Sequence, residues 1–252
     1  MGRVNVESQG GKTGLAQDSD RATIEQNVRT VFEKIRDAAL RAGRAPDAVR
    51  LVDATKGVTV ERVRVAAQAG VTILGESRLQ EALPKIEALG SPDAVRWHFI
   101  GQLQRRKVKS VVERFDMIHS VDSVDLAEEI DRRADVAGIR QAVLLEINIG
   151  GEATKAGFSP VGVRSALPRL DRLSRLEIRG LMTVPPQRRT SEETRRFYQE
   201  LRHLAGALAS SGLERIRMTE LSMGMSNDYT VAVEEGATYV RVGTAIFGDR
   251  GV

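Results

Sequence analysis

The sequence has no cysteine among its 252 residues. Disulfides, thiolate nucleophiles and cysteine metal ligands are therefore excluded. No apolar run approaches the ~20 residues that a membrane helix needs, so no membrane association is expected. The N-terminus lacks the apolar core of a secretory signal. Together these absences lead to the expectation of a cytoplasmic protein. Histidine is scarce, with three residues. They form no His-x-x-x-His pair and meet no carboxylate cluster, so no metal site is expected. No Gly-x-Ser-x-Gly elbow is present, which argues against a serine hydrolase. No Gly-x-Gly-x-x-Gly follows the first strand, which argues against an open dinucleotide-binding sheet.

Charge of neither sign dominates. The 38 basic and 34 acidic residues leave a formal net charge of +4. That balance is mild for this size and does not indicate nucleic acid. One basic run, Arg105-Arg106-Lys107-Val108-Lys109, has no interleaved aromatic residues. It reads as a solvated helix face or a patch for an acidic protein partner rather than a single-strand nucleic-acid platform.

What remains is an ordinary globular composition, 41% apolar and 29% charged, long enough for one sizeable core. Residues 1–21 are polar with Gly10-Gly11, and are expected to form a flexible arm. A helix follows over about Ala22–Arg44, with Val28, Val31, Phe32, Ile35, Ala38 and Ala39 at helical spacing. Short apolar segments then alternate with amphipathic ones. Strands are predicted at Val49–Ala54, Val71–Leu74, Val95–Ile100, Met117–His119, Ala142–Asn148, Leu176–Leu181, Arg217–Leu221 and Tyr239–Val242. Between them the spacing predicts helices at Val60–Ala69, Leu79–Leu89, Arg105–Arg114, Val124–Val136, Val161–Leu173, Glu192–Ser210 and Asn227–Glu235. Eight strands with helical crossovers predict an α/β fold, a (β/α)₈ barrel with an additional N-terminal helix, in one domain over residues 22–252.

In such a barrel the residues after each strand converge on one face. Lys56 follows the first strand, where it has no packing role. Two loops are rich in Gly, Ser and Thr: Ser222-Met223-Gly224-Met225-Ser226-Asn227-Asp228 after the seventh strand and Gly243-Thr244-Ala245 after the eighth. Close backbone approach and nearby helix starts suit phosphate, and barrels often place it there. Turn formation alone is the competing explanation. Arg241, inside the last strand, needs a partner. It either forms a structural ion pair, with Glu76 or Asp53 as candidates, or faces a ligand. Lys56 is either a solvated lysine or an amine whose depressed pKa lets it capture an aldehyde. An aldehyde bearing a phosphate suggests pyridoxal 5′-phosphate. His98 and His119 read as satisfied core histidines ahead of catalytic bases.

These residues resemble a known family, the pyridoxal-phosphate-binding proteins of vitamin B6 homeostasis, relatives of the barrel domain of alanine racemase. The resemblance runs from about Ile24 to Gly248. Thr55-Lys56, Leu74-Gly75-Glu76-Ser77 with Gln80-Glu81, Trp97–Gln104, Ile147-Asn148 with Glu152–Gly157, Arg179–Met182, Leu221–Asp228 and Val240–Gly248 carry it, in that order. It implies that Lys56 holds pyridoxal 5′-phosphate as an aldimine. It implies a site lined by Asn148, Met182, Ser222, Met223, Gly224 and Ser226, with Gly243 and Thr244 completing the phosphate cradle. Arg241 then faces the pyridine nitrogen, and Ser77 and His98 lie nearby. Ser77 and Arg106 stand where the family usually has asparagine.

The function this implies is a monomeric carrier and regulator of pyridoxal 5′-phosphate, supplying apo-enzymes that need it. A racemase with weak one-base activity through Lys56 is the alternative. The chain ends soon after the eighth strand, without the second domain that carries the opposite base in alanine racemase. A Schiff-base aldolase acting on a sugar phosphate is a third reading. No catalytic residue is assigned.

Overall fold

The structure, a computed structural model, describes residues 10–90, 95–186, 190–213 and 215–249, with side chains from Asp18 onward. The strands are β1 (Arg50–Ala54), β2 (Ile73–Glu76), β3 (Arg96–Phe99), β4 (Met117–Val121), β5 (Gln141–Glu146), β6 (Leu176–Met182), β7 (Ile216–Ser222) and β8 (Tyr239–Val242). All pair in parallel with their sequence neighbours. Arg50–Asp53 of β1 lie opposite Tyr239–Val242 of β8, and this closes the barrel.

The helices are α1 (Gly10–Arg41), α2 (Val60–Gln68), α3 (Leu79–Leu89), α4 (Val108–Val112), α5 (Val124–Ala137), α6 (Pro160–Leu170), α7 (Glu192–Ala209), α8 (Tyr229–Glu234) and α9 (Thr244–Phe247). Their limits follow local chemistry. Ser123 accepts from Leu126 N to start α5, and Gly138, at a left-handed φ of 70°, ends it. Ser159 caps α6, with Pro160 in its first turn.

The expected (β/α)₈ barrel is present; several element limits differ, and four differences bear on the sequence expectations. First, α1 begins at Gly10, twelve residues before Ala22, so the expected flexible arm gives way to helix from that point; residues 1–9 lie outside the described residues. Asp20, one of the polar residues that argued for an arm, is held by Arg62 of α2 at 2.9 Å. Second, Phe32 is 38% exposed and falls outside the stripe formed by Ile24, Val28, Val31, Ile35, Ala38 and Ala39. Third, β2 starts at Ile73 rather than Val71, because Val71 N closes the end of α2 on Ala66 O at 3.1 Å. Fourth, the segment predicted as one helix from Arg105 begins as a 3-10 turn, Arg105–Lys107, ahead of the short α4.

The core has two parts. The larger cluster fills the layer between sheet and helices. The smaller one, including Val52, Ile73, Met117, Leu144, Met182 and Tyr239, fills the barrel's interior. Since side chains alternate along a strand, this split assigns directions along each strand, the parity changing at the register shifts in the β4–β5, β5–β6 and β6–β7 pairs.

Candidate functional site at the barrel mouth

Val52 points inward on β1, so Ala54 follows on the interior side, and Lys56 comes two residues later, just beyond the end of the strand. Lys56 stands in the turn Lys56-Gly57, where Gly57 has φ +71°. Gly57 N donates to Glu81 Oε2 at 2.7 Å. The Lys56 side chain is half-buried, and among the described residues it has no hydrogen-bond or ion-pair partner.

The residue before it is tightly held. Thr55 Oγ1 donates to Glu76 Oε1 at 2.7 Å, Thr55 N donates to Gly75 O, and Lys85 Nζ donates to the Thr55 carbonyl at 2.6 Å. Lys85 also forms a very short ion pair with Glu76, and both side chains are buried. This cluster lies outside the barrel, under α3. Asp53 shares that layer, fully buried, with neither carboxylate oxygen hydrogen-bonded. Burial pushes its carboxyl well above the usual range, against the pull of Lys85 and with the push of Glu76.

Glu76 and Asp53 are therefore not the partners of Arg241, which removes the ion-pair alternative that the sequence left open for it. They face the helices, whereas Arg241 faces the interior. Arg241 Nη1 donates to Ser222 Oγ at 2.6 Å and Nη2 donates to Thr183 O at 2.8 Å. Burial lowers the pKa of Arg241, but a guanidinium at such a site stays charged. Glu146, which pairs in register with Met182, is raised by burial and by Asp122, and is drawn back by Arg241.

The seventh and eighth loops meet at the β8–β1 seam. Gly243 N and Ala245 N both donate to Ser226 Oγ, at 3.2 and 3.3 Å. A Cβ on Gly243 would lie 2.7 Å from Ala54 O. Gly224 has φ +92°, and a Cβ there would lie 2.5 Å from Ala232 Cβ. Both glycines thus permit a backbone approach that no larger residue allows. Thr244 is exposed at the start of α9.

The other expected site residues fall in three groups. Met182 lies inside the barrel and pairs in register with Ser222. Asn148 is at the mouth, but its side chain is engaged by its own loop: Nδ2 donates to Glu152 O at 2.8 Å, and Oδ1 accepts from Glu152 N. Ser77 is half-buried beyond β2, and its backbone packs against Gly101. Met223 is fully buried in the outer layer and its amide donates to Tyr239 O, so its side chain points away from the interior. His98 is buried inside the barrel, where Nδ1 lies 2.9 Å from His119 Nε2. The link of His98 through His119 to Ser222 and Arg241 was not foreseen. The inward parity of the four residues was the available signal.

Among the described residues, no group of three or more His, Cys, Asp or Glu could hold a metal ion. No helix among them is long and apolar enough to cross a membrane.

A closed parallel barrel with a lysine after β1 and a glycine-serine cradle after β7 and β8 defines a class, and sequence comparison defines the same one. The family described as alanine racemase, N-terminal domain, matches residues 19–251. Within it, the chain belongs to the pyridoxal phosphate homeostasis proteins. It is 41% identical over 225 residues to the pyridoxal phosphate homeostasis protein of Aquifex aeolicus, covering 89% of this chain and 97% of that one. To the Escherichia coli K12 protein of the same name it is 36% identical over 232 residues, covering 90% and 97%. Among solved structures, PipY of Synechococcus elongatus PCC7942 with PLP bound has a TM-score of 0.75 and 40% identity, covering 85% of this chain and 99% of that one. The alanine racemase of Clostridium difficile 630 shares the fold, with a TM-score of 0.68 and 17% identity, covering 90% of this chain and 58% of that one.

Proposed function

We propose that this protein binds pyridoxal 5′-phosphate at the barrel mouth, anchors it covalently through Lys56, and serves intracellular vitamin B6 homeostasis as a carrier. The observation that carries this reading is the seam. It sets a half-buried, unpartnered amine just beyond Ala54, which Gly243 abuts. The name shared by the relatives and the PLP bound in PipY point the same way.

The residues fit such a group. Two amides already converge on a hydroxyl oxygen at Ser226, and a phosphate oxygen asks for the same donors. Gly224, Ser226, Gly243 and Thr244 would form the phosphate cradle, with Ser222 and Arg241 toward the ring nitrogen. Met182 would wall the ring side, with Asn148, Ser77 and the backbone at Met223 around it. When bound, the group supplies an aldehyde that a primary amine captures reversibly and a ring that withdraws electrons. A charged guanidinium near the ring nitrogen opposes its protonation, which weakens that withdrawal and favours holding over carbanion chemistry.

The tyrosines support a carrier over a racemase. Tyr198 and Tyr229 belong to the outer layer, and the hydroxyl of Tyr239, inside the barrel, donates to Glu220 at 3.4 Å. None of the three is a ready second base at the mouth. A cytoplasmic monomer that delivers the cofactor to apo-enzymes completes the proposal.

The test is the absorbance spectrum of protein loaded with pyridoxal 5′-phosphate, before and after borohydride, followed by peptide mapping. The label is expected on Lys56 and absent from a folded Lys56→Ala variant. A label on any other lysine overturns the assignment. Racemisation of alanine by the loaded protein, faster than by free cofactor, would favour the alternative.

A further inference from the structure

Four strands contribute to one hydrogen-bonded line inside the barrel. It runs from Arg241 on β8 through Ser222 on β7 and His119 on β4 to His98 on β3. Arg241 Nη1 donates to Ser222 Oγ at 2.6 Å, Ser222 Oγ is 2.9 Å from His119 Nδ1, and His119 Nε2 is 2.9 Å from His98 Nδ1. None of the four is more than 5% exposed.

The line has few possible arrangements. A hydrogen bond between two imidazole nitrogens holds one proton, on one ring or the other. Both rings are neutral. Burial, with Arg50, Arg96 and Arg179, pushes His98 down to about 3. Burial, with His98, Arg241 and Arg50, pushes His119 well below its usual value. Each neutral ring carries a single N–H, so two ordered states exist. In the first, Ser222 donates to His119 Nδ1, and His119 Nε2–H donates to His98. In the second, His98 Nδ1–H donates to His119 Nε2, and His119 Nδ1–H donates to Ser222. Ser222 Oγ then accepts from both Arg241 and His119, and its own hydrogen is free for a third group. Among the described residues no further acceptor takes it.

Resting on the function proposed above, we propose that His119 and His98 are positioning residues for the cofactor ring. They hold Ser222 as a hydrogen-bond donor beside Arg241, so that the pair recognises an unprotonated ring nitrogen. The line ends at Ser222, a neighbour of Arg241 whose hydroxyl can switch between donor and acceptor. Its tautomer decides which. A ring nitrogen without a proton needs a donor, which selects the second state.

The test uses full-length protein with ¹⁵N-labelled histidine. It is loaded in turn with pyridoxal 5′-phosphate, with its 4′-deoxy analogue, which has ring and phosphate but no aldehyde, and with inorganic phosphate. With both ring ligands the His119 Nδ1 resonance is expected in the protonated range and Nε2 in the unprotonated range. His98→Leu should weaken the deoxy analogue about tenfold, the loss of roughly one hydrogen bond, and leave inorganic phosphate unchanged. His98→Gln, which retains a donor, should recover part of the loss. A loaded protein with His119 protonated at Nε2 overturns this inference and leaves the carrier reading intact. Wild-type protein that binds neither ring ligand overturns both. The resonance assignment stands on wild-type protein, whatever the variants do to folding.

Discussion

Gly243 and Ala54 meet across the barrel seam so closely that a Cβ on Gly243 would lie 2.7 Å from the Ala54 carbonyl oxygen. The contact is backbone against backbone, so no side-chain rotation relieves it. Gly243→Ala should force β8 away from β1, displace the amides that meet at Ser226, and cost about 1–3 kcal/mol of stability. Thermal unfolding and titration with pyridoxal 5′-phosphate check this. A variant with wild-type melting and affinity would mean that the seam tolerates a wider spacing.

Lys85 is the cation of a buried cluster. Lys85→Met keeps the volume but leaves Glu76 without a counter-charge and Thr55 O without its donor. Removing one partner of a buried pair costs about 3–5 kcal/mol. Urea unfolding should show this loss, and adding Glu76→Gln should restore part of it. Because Thr55 precedes Lys56, slower borohydride labelling of Lys56 is expected as well.

Asp53 is the opposite case, a buried carboxyl whose folded-state pKa is raised. The folded protein binds that proton more tightly than the unfolded chain. The stability it gives is therefore full below the unfolded value of about 3.9 and is lost as pH rises toward the folded value. Asp53→Asn should match wild type near pH 4 and exceed it increasingly above. The gap should grow by up to about 1.4 kcal/mol per pH unit and level off above the folded pKa. Urea midpoints from pH 4 to 8 measure it. A constant gap would show that Asp53 is ionised throughout.

Arg62 joins three helices. It pairs with Asp20 on α1, donates to Phe247 O at 2.8 Å at the end of α9, and sits over the Phe247 ring. The pair is partly exposed, so Arg62→Ala should cost only about 1 kcal/mol. The loss should appear locally, as faster amide exchange in the first turns of α1 after Asp18. Uniform acceleration across the barrel would contradict that.

The barrel was legible because its signals are local. Eight apolar segments separated by amphipathic ones specify strand order, and β8 and α3 fall at their expected limits. The glycine-serine loops were legible for the same reason. Facing was harder to read. Arg241, Glu76 and Asp53 are all charges in strands, and only the closed register shows that Arg241 points inward and the other two outward. The His98–His119 link joins residues 21 apart in sequence; inward parity on each strand puts both rings in the interior but does not show that they meet. Residues 10–21 are polar and glycine-containing, so no apolar stripe marks them as helix; within that stretch Asp20 and Arg21 contact Arg62 and Gln68 of α2.

The seam also has a temporal meaning. Lys56 follows the first strand and Gly243 follows the last, so most of the chain is made between them. A growing chain exposes its amine long before the cradle exists, and the site is completed only when β8 closes on β1. A ligand bound there recognises the finished ring alone, and its binding free energy adds to barrel closure. Cofactor occupancy would then report whether the first and last strands have met.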